Sequence, residues 1–324
     1  MSTLREWLTT CAFICRDRPD VVNLHNMSMV AVIPFLWALR RIGFIKRLVW
    51  DQRELPDELL DAGPVGRWTL KVLMLMCDQV ASANAERRKF IGEHLGTKVR
   101  SRITVINNYP DRAFAECPRM ALPGPIVDWL RGRQYLLAQS AGTRGRYFEE
   151  IARAAISLKR VPVVAVGRLD AALAMELAAL LEAPEAREWV WVQHEVIPDE
   201  LPGFIDSSVA AIVLYDTRIE NNRLCAPNRL FQPLSRGVPV IGGSNPPIAS
   251  VLNETGSGLV LESDGRDVQD LRAGISLMLE DAPTFRRNAE AFRQRYLWES
   301  QSDTIAEFLV GDRRADWVNQ SSRA

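Results

Sequence analysis

Apolar residues recur along the 324-residue chain in two rhythms, unbroken short runs that suit buried strands and three- or four-residue steps that suit helices. Leu4, Leu8, Cys11 and Cys15 keep the helical step and predict a helix over residues 4–17. Pro19-Asp20 then turns into Val21-Val22-Asn23-Leu24, a strand ending at His25-Asn26. Helices are predicted over 28–41, 64–77 and 84–95, with strands at 46–50, 79–83 and 103–106. Residues 111–131 carry Pro118, Pro123, Gly124 and Pro125 without a period and read as an interdomain connection. Beyond it the alternation resumes, with strands at 135–138, 161–166, 189–192, 210–215 and 259–261. The helices between and after them fall at 147–158, 171–182, 201–206, 267–280, 283–295 and 299–310, before a polar tail read as disordered. Strands alternating with helices give parallel sheets, and the absence of a repeat excludes a solenoid. The expected division is 1–122, 123–298 and a C-terminal helix and tail at 299–324.

One run combines both rhythms. Cys225 to Val251 reads C-A-P-N-R-L-F-Q-P-L-S-R-G-V-P-V-I-G-G-S-N-P-P-I-A-S-V. Leu230, Phe231 and Leu234 take the apolar side of a helix, and Arg229, Gln232 and Arg236 share the opposite face. Gly237 ends that helix, residues 238–241 form a buried strand, and Gly242-Gly243-Ser244-Asn245 turns into a helix starting at Pro246 or Pro247. Ser244 and Asn245 suit the N-cap, and a following Pro is tolerated at the first helical position. A helix start after a Gly-rich turn presents unpaired N–H groups and a positive dipole end. A cationic helix face beside such a turn predicts a bound diphosphate.

P-N-R-L-F-Q-P-L-S-R-G-V-P-V-I is similar to the P-x-K-L-[FY]-E-Y-[LM]-A-x-G-x-P-V motif of retaining GT-B glycosyltransferases, the family-four-like (group 1) sugar transferases. The resemblance implies that Arg229 contacts the donor diphosphate and that Gln232 stands where an acidic residue holds the ribose hydroxyls. Gln can bond a hydroxyl, without charge assistance. Pro233, where the family usually has Tyr or Ala, removes a backbone bond and predicts a kink. Gly142-Thr143-Arg144-Gly145-Arg146 lies between a strand and a helix and resembles the family's K-G or R-G-x step, which implies Arg146, then Arg144, on the donor phosphates. The plain alternative is a solvated Arg at a helix start, which the dipole disfavours without an anion.

R-P-D-V-V-N-L-H-N is similar to the family's P-D-V-V-H-x-H-[DN] segment, which implies that His25 faces the donor sugar as a hydrogen-bonding group rather than a base. Without the resemblance, a lone His at a strand end is as readily structural. W-D-Q-R-E-L resembles [YW]-D-x-[HR]-E-[LF] and implies an acceptor-side role for Glu54 and Asp51, with surface ion pairing as the alternative. Glu220 and Asn222 lie in a polar loop on the rim of the central stretch and are candidates for the sugar or diphosphate, although the spacing gives no E-x7-E pair. Residues 193–198, Q-H-E-V-I-P, correspond to the loop whose backbone reads the nucleotide base in the family, and an ordinary loop fits them equally.

Composition narrows the remaining classes. Lysine and arginine balance aspartate and glutamate at 40 each, so bulk charge offers nothing to nucleic acid. Five scattered cysteines without a Cys-His cluster indicate a reducing cytoplasm and no metal site. No signal peptide, Walker loop, zinc motif or Ser-His-Asp order appears. The apolar run 27–50 is interrupted by Arg40, Arg41, Lys46 and Arg47 and reads as a buried helix and strand. A second reading makes it a basic, aromatic surface for peripheral contact with the inner face of a membrane.

The resemblance is good over 132–295 and looser over 19–112. It implies a GT-B-like α/β protein of two Rossmann-type domains with parallel sheets, the N-terminal one incomplete, because the family's first strand, Gly-rich loop and two strand-helix pieces have no counterpart before Pro19. That leaves an upstream start, a partner chain completing the sheet, or a reduced relative. The implied activity is metal-independent, retaining transfer of a sugar from a UDP- or GDP-linked donor to a glycan or lipid-linked acceptor, with no resident cofactor. The other readings are a nucleotide-sugar epimerase and a non-catalytic nucleotide-sugar-binding or assembly subunit.

Overall fold

A computed structural model of the chain describes residues 2–25, 27, 29–139, 144–193 and 196–311. They form two compact units, the first taking Met1–Asn107 and the segment that begins at Gln301, the second Asn108–Ser300.

In the first unit β1 (Val21–His25), β2 (Arg47–Gln52), β3 (Gln79–Ser82) and β4 (Ile103–Val105) form one parallel sheet in that order. Leu48, Val49 and Trp50 of β2 are all fully buried, as expected where helices cover both faces of a parallel sheet. Helix Ile33–Arg41 buries Ile33, Leu36 and Leu39 at helical spacing, and helix Gly63–Met76 buries Leu70, Leu73 and Met74. Helix Ser302–Val310 packs here because Arg47 caps its last turn, Nε donating to the Phe308 carbonyl at 3.1 Å and Nη2 to that of Glu307 at 3.2 Å. The buried Gln301 side chain holds both backbone groups of Asn107, accepting from its N–H at 2.7 Å and donating to its carbonyl at 3.1 Å.

The second unit contains β5 (Leu136–Gln139), β6 (Val163–Val166), β7 (Val190–Gln193), β8 (Ala210–Val213), β9 (Val240–Gly242) and β10 (Gly258–Val260). They are all parallel and lie in the order β7-β6-β5-β8-β9-β10, the Rossmann order, which reverses between β5 and β8. Successive strand residues feed opposite cores. Leu136 and Ala138 pack with Phe148, Ile151 and Ile275, while Leu137 packs with Leu230, Phe231 and Ile248. Gly258 lies so close to β9 that a Cβ there would overlap the Val240 carbonyl oxygen.

Several elements depart from the pattern-based expectation. The helix expected over 28–41 starts as a 3-10 turn at Val30–Val32 and becomes α-helical only at Ile33. The helices expected at 267–280 and 283–295 are one, Val268–Phe292, bent at Asp281 two residues before Pro283, whose ring displaces the preceding turn. Helix Asn228–Ser235 stays helical through Pro233 and ends two residues later. Residues 111–131 are irregular only over 117–123 between two short helices. Asp111 caps helix Arg112–Glu116 by accepting from Phe114 N–H at 2.8 Å, and Pro123 leads into helix Gly124–Leu130. Both helices belong to the second unit, so the division falls at Asn107/Asn108, ahead of the expected 122/123, and the chain from Gln301 returns to the first unit.

Candidate functional site

Parallel α/β sheets bind ligands beyond the carboxyl ends of their strands, at the point where strand order reverses. In the second unit that point lies past Gln139 of β5 and Val213 of β8, and the residues gathered there come from four separate segments. Tyr215, two residues beyond β8, is buried, and both candidate arginines converge on its ring. Arg146 Cζ lies 3.4 Å from the ring centroid and Arg229 Cζ 4.8 Å. The electron-rich face of a tyrosine attracts a guanidinium, which lets two like charges share one small volume. Burial pushes the Tyr215 phenol up, although the two arginines oppose the shift.

Arg229 leaves the first turn of helix Asn228–Ser235, and its Nη1 donates to the carbonyl of Gln139, the last residue of β5. Its Nη2 is buried without a hydrogen-bond partner, as is Oε1 of Gln139. A buried guanidinium N–H without an acceptor is costly, and a ligand oxygen would satisfy it. One turn along the helix, Gln232 Oε1 accepts from Gln139 Nε2 at 3.0 Å. The arginine loop is pinned to the segment after β8 by the Asp216 N–H, which donates to the Gly145 carbonyl at 3.0 Å. Gly145 also admits a close neighbour, since a Cβ there would stand 3.3 Å from Asn222 Nδ2.

The Gly-rich turn does not form the expected ring of amide donors. The Gly243 N–H donates to the Val213 carbonyl at 3.2 Å and the Ser244 N–H to that of Ser263 at 2.9 Å. Pro246 and Pro247 carry no N–H at all, a deficit already present in the sequence. Asn245 occupies the N-cap position of helix Pro246–Thr255, but its side chain does not cap. It is fully buried, and Nδ2 donates to the carbonyls of Tyr215 at 3.2 Å and Asn222 at 3.1 Å, which fastens the loops after β8 and β9 together. The cationic helix face is also smaller than expected. Arg236 ends the helix with its guanidinium forked on Asp206 at 2.7 and 2.5 Å and its Nη1 on the Phe114 carbonyl at 2.6 Å, a structural clamp away from the strand ends. Glu220 pairs with Arg223 on the short helix Glu220–Arg223. Arg144 begins a 3-10 turn, while Gly142, Thr143 and the 194–195 part of the expected base-reading loop lie outside the described residues.

Sequence reasoning missed the group that holds the rim. Asp264, following β10, has a buried carboxylate whose Oδ2 accepts from Tyr147 Oη at 2.8 Å, from both Thr217 N and Oγ1 at 2.9 Å, and from Arg266 Nη2 at 2.6 Å. Burial alone would raise its pKa. The bonds from Arg266, Thr217 and Tyr147 outweigh that and hold it well below the usual carboxylate range. The same contact, added to burial, pushes the Tyr147 phenol far up. Tyr147 directly follows Arg146 and Thr217 lies two residues past Tyr215, so one carboxylate ties together the two segments that place the arginine and the ring. A lone S-D-G-R turn carries no signal of this, because Thr217 and Tyr147 lie 47 and 117 residues away from Asp264.

In the first unit His25 is the last residue of β1, Asp51 the last but one of β2, and Glu54 lies two residues past β2. Asp51 is buried, 2.7 Å from Arg53 Nε, and 3.4 Å from His25 Nδ1, so its carboxylate is largely spent inside the unit. Glu54 is 3.4 Å from the buried Arg87 and mostly exposed. Asn26 lies outside the described residues. Among the described residues no group of three or more His, Cys, Asp or Glu is placed to hold a metal ion, and no helix is long and apolar enough to cross a membrane.

No protein-family description and no curated protein matches this sequence. Solved structures do. Anabaena HepE in complex with UDP is 13% identical with a TM-score of 0.67, over 89% of this chain and 78% of that one. Sucrose-phosphate synthase from Thermosynechococcus elongatus is 13% identical with a TM-score of 0.68, over 89% and 72%. A putative UDP-N-acetylglucosamine 2-epimerase from Listeria monocytogenes is 14% identical with a TM-score of 0.62, over 94% and 78%. At that identity the likeness is one of architecture, and it agrees with the strand orders: the chain has a GT-B-like α/β fold with two Rossmann-type parallel sheets.

Proposed function

We propose that this protein is a glycosyltransferase that takes a sugar from a nucleotide-diphosphate donor. The observation that carries the reading is the convergence of Arg146 and Arg229 on the Tyr215 ring at the strand-order reversal of the second sheet. Departure of the nucleotide diphosphate builds negative charge on the leaving oxygen. Two guanidiniums held in place before the reaction stabilise that charge without reorganising, the usual source of most catalytic rate in such sites. The solved complex of HepE with UDP supports the choice of ligand. In this reading Gln232 and Gln139 bond the ribose hydroxyls as a neutral amide pair, and Asn222 stands beside the arginine loop for the sugar or diphosphate.

Retention of anomeric configuration, independence from metal, and a glycan or lipid-linked acceptor belong to the proposal through the sequence resemblance. So does the assignment of His25 to the sugar and of Glu54, with Asp51, to acceptor hydroxyls. Two other outcomes have their own support. The Listeria neighbour favours an epimerase. The neutral Gln232, already bonded to Gln139, favours a subunit that binds nucleotide sugar without turning it over.

A panel of UDP- and GDP-sugars separates the three. Release of nucleoside diphosphate, with sugar transferred or hydrolysed, supports the transferase. Appearance of the epimeric donor establishes the epimerase, and saturable donor binding without turnover the binding subunit.

A further inference from the structure

At the opposite end of the second sheet, beside the amino end of β8, lies a separate cavity of about 420 Å³ lined by Glu116, Arg119, Asp206, Arg236, Arg286 and Arg293, with Ala115 and Cys117. Four arginines face Asp206 and Glu116 in the lining, and with Glu290, the partner of Arg293, the local excess is one positive charge. Their bonding divides them. Arg236 is committed to Asp206 and to backbone carbonyls, and Arg293 Nε lies 3.1 Å from Glu290. Arg286, from the far part of helix Val268–Phe292, spends Nη2 on the Ser208 carbonyl at 2.7 Å. Arg119 spends one nitrogen on Ser207 Oγ at 3.0 Å. Burial, together with the nearby Arg119, pushes the Arg286 guanidinium down from its ordinary value even though Asp206 and Glu290 oppose the shift. Positive charge in this cavity is under-compensated.

The wall is also built rather than draped. Gly203 of helix Leu201–Asp206 receives the segment carrying Arg119 so closely that a Cβ there would stand 2.6 Å from the Met120 carbonyl oxygen. Arg119 is therefore positioned by a backbone contact, and Arg286 by its bond to Ser208.

We infer that this cavity binds a phosphate group, at a site separate from the donor site and at the opposite, amino end of the strands of the same sheet. A phosphate carries about −1.5 to −2 charge at pH 7, opposite in sign to the local excess, and arginine forks match its oxygens in pairs. The volume exceeds what phosphate alone needs and falls in the range of about 300–1,000 Å³ typical of small-molecule pockets, so a phosphomonoester of sugar size fits.

The test is titration calorimetry on the full chain with inorganic phosphate and with glucose 6-phosphate, using wild type, Arg229→Ala, Arg119→Ala and Arg286→Lys. Saturable binding is expected, unchanged within about twofold in Arg229→Ala and weakened at least about tenfold in the other two, the scale of one lost charge-assisted contact. Arg119→Ala carries the decision, because its exposed side chain holds only the Ser207 hydroxyl and its loss spares the fold, which urea unfolding verifies. Tighter binding of the sugar phosphate identifies a phosphomonoester, and equal binding identifies the phosphate group alone. Absence of saturable binding by either probe overturns the inference, as does wild-type affinity in Arg119→Ala. Binding lost in Arg229→Ala and kept in Arg119→Ala overturns it too, since the anion would then occupy the donor site.

Discussion

Replacing Arg229 by Ala separates the proposed diphosphate site from an ordinary buried arginine. In the structure Nη1 holds the Gln139 carbonyl, and Nη2 is buried and makes no hydrogen bond. If Nη2 meets a diphosphate oxygen, its removal costs one charge-assisted hydrogen bond, about 1.5–3 kcal/mol. At about 1.4 kcal/mol per decade, UDP binding weakens by roughly 10- to 150-fold. Arg146 remains on the Tyr215 ring, so binding is reduced rather than abolished. Loss of the bond to Gln139 should add a modest destabilisation, about 1–3 kcal/mol for an acceptor left unsatisfied, and urea unfolding measures it separately. The decisive assay is calorimetry with UDP, GDP and uridine. The diphosphate contact predicts that UDP weakens while uridine does not, and that Arg229→Lys, which keeps a charge but not the fork, falls between Ala and wild type. An unchanged UDP dissociation constant in folded Arg229→Ala, or equal weakening of UDP and uridine, would refute the placement of the diphosphate.

Other expectations test neighbouring parts of the structure. Gln232→Glu supplies the acidic residue of the resembled motif while still accepting from Gln139 Nε2, and should tighten UDP binding several-fold in calorimetry through charge-assisted bonds to ribose. Asp264→Asn places an amide against the Tyr147, Thr217 and Arg266 donors and should cost about 1–3 kcal/mol in urea unfolding, with weaker UDP binding because the segments carrying Arg146 and Tyr215 lose their tie. The folded-state pKa of Asp264 is depressed, so its contribution is complete above the unfolded value of about 4 and is lost as pH falls below it. Acid titration of stability should show a component below about pH 4 that Asp264→Asn lacks. The raised Tyr147 phenol gives the opposite limb, with stability complete below about pH 10 and lost above it. Gly258→Ala drives a methyl into the Val240 carbonyl and should destabilise by about 1–3 kcal/mol, read as a lower urea midpoint.

The sequence by itself determined the alternation of strands and helices, and through it the parallel sheets. Buried runs such as Leu48-Val49-Trp50 and the period of Leu230, Phe231 and Leu234 report local burial, which neighbouring residues decide. It also singled out Arg146 and Arg229, because both lie in segments that follow strands and carry a recognisable motif. What it could not supply was the fate of each polar group. Arg229 and Arg236 share one helix face in the pattern, yet one turns to the strand ends and the other is consumed by Asp206, 30 residues away in the chain. The amides of Gly243 and Ser244 look open in a Gly-rich turn and are closed by Val213 and Ser263. Tyr215 and Asp264 carry no local signal, since Arg146 for the first and Tyr147 and Thr217 for the second are distant in sequence and meet them only when the β5, β8 and β10 loops fold against one another. Hydrophobic periodicity is a property of a few consecutive residues, whereas hydrogen-bond satisfaction belongs to the whole packed chain, so tertiary structure alone decided which arginines gather at the strand ends.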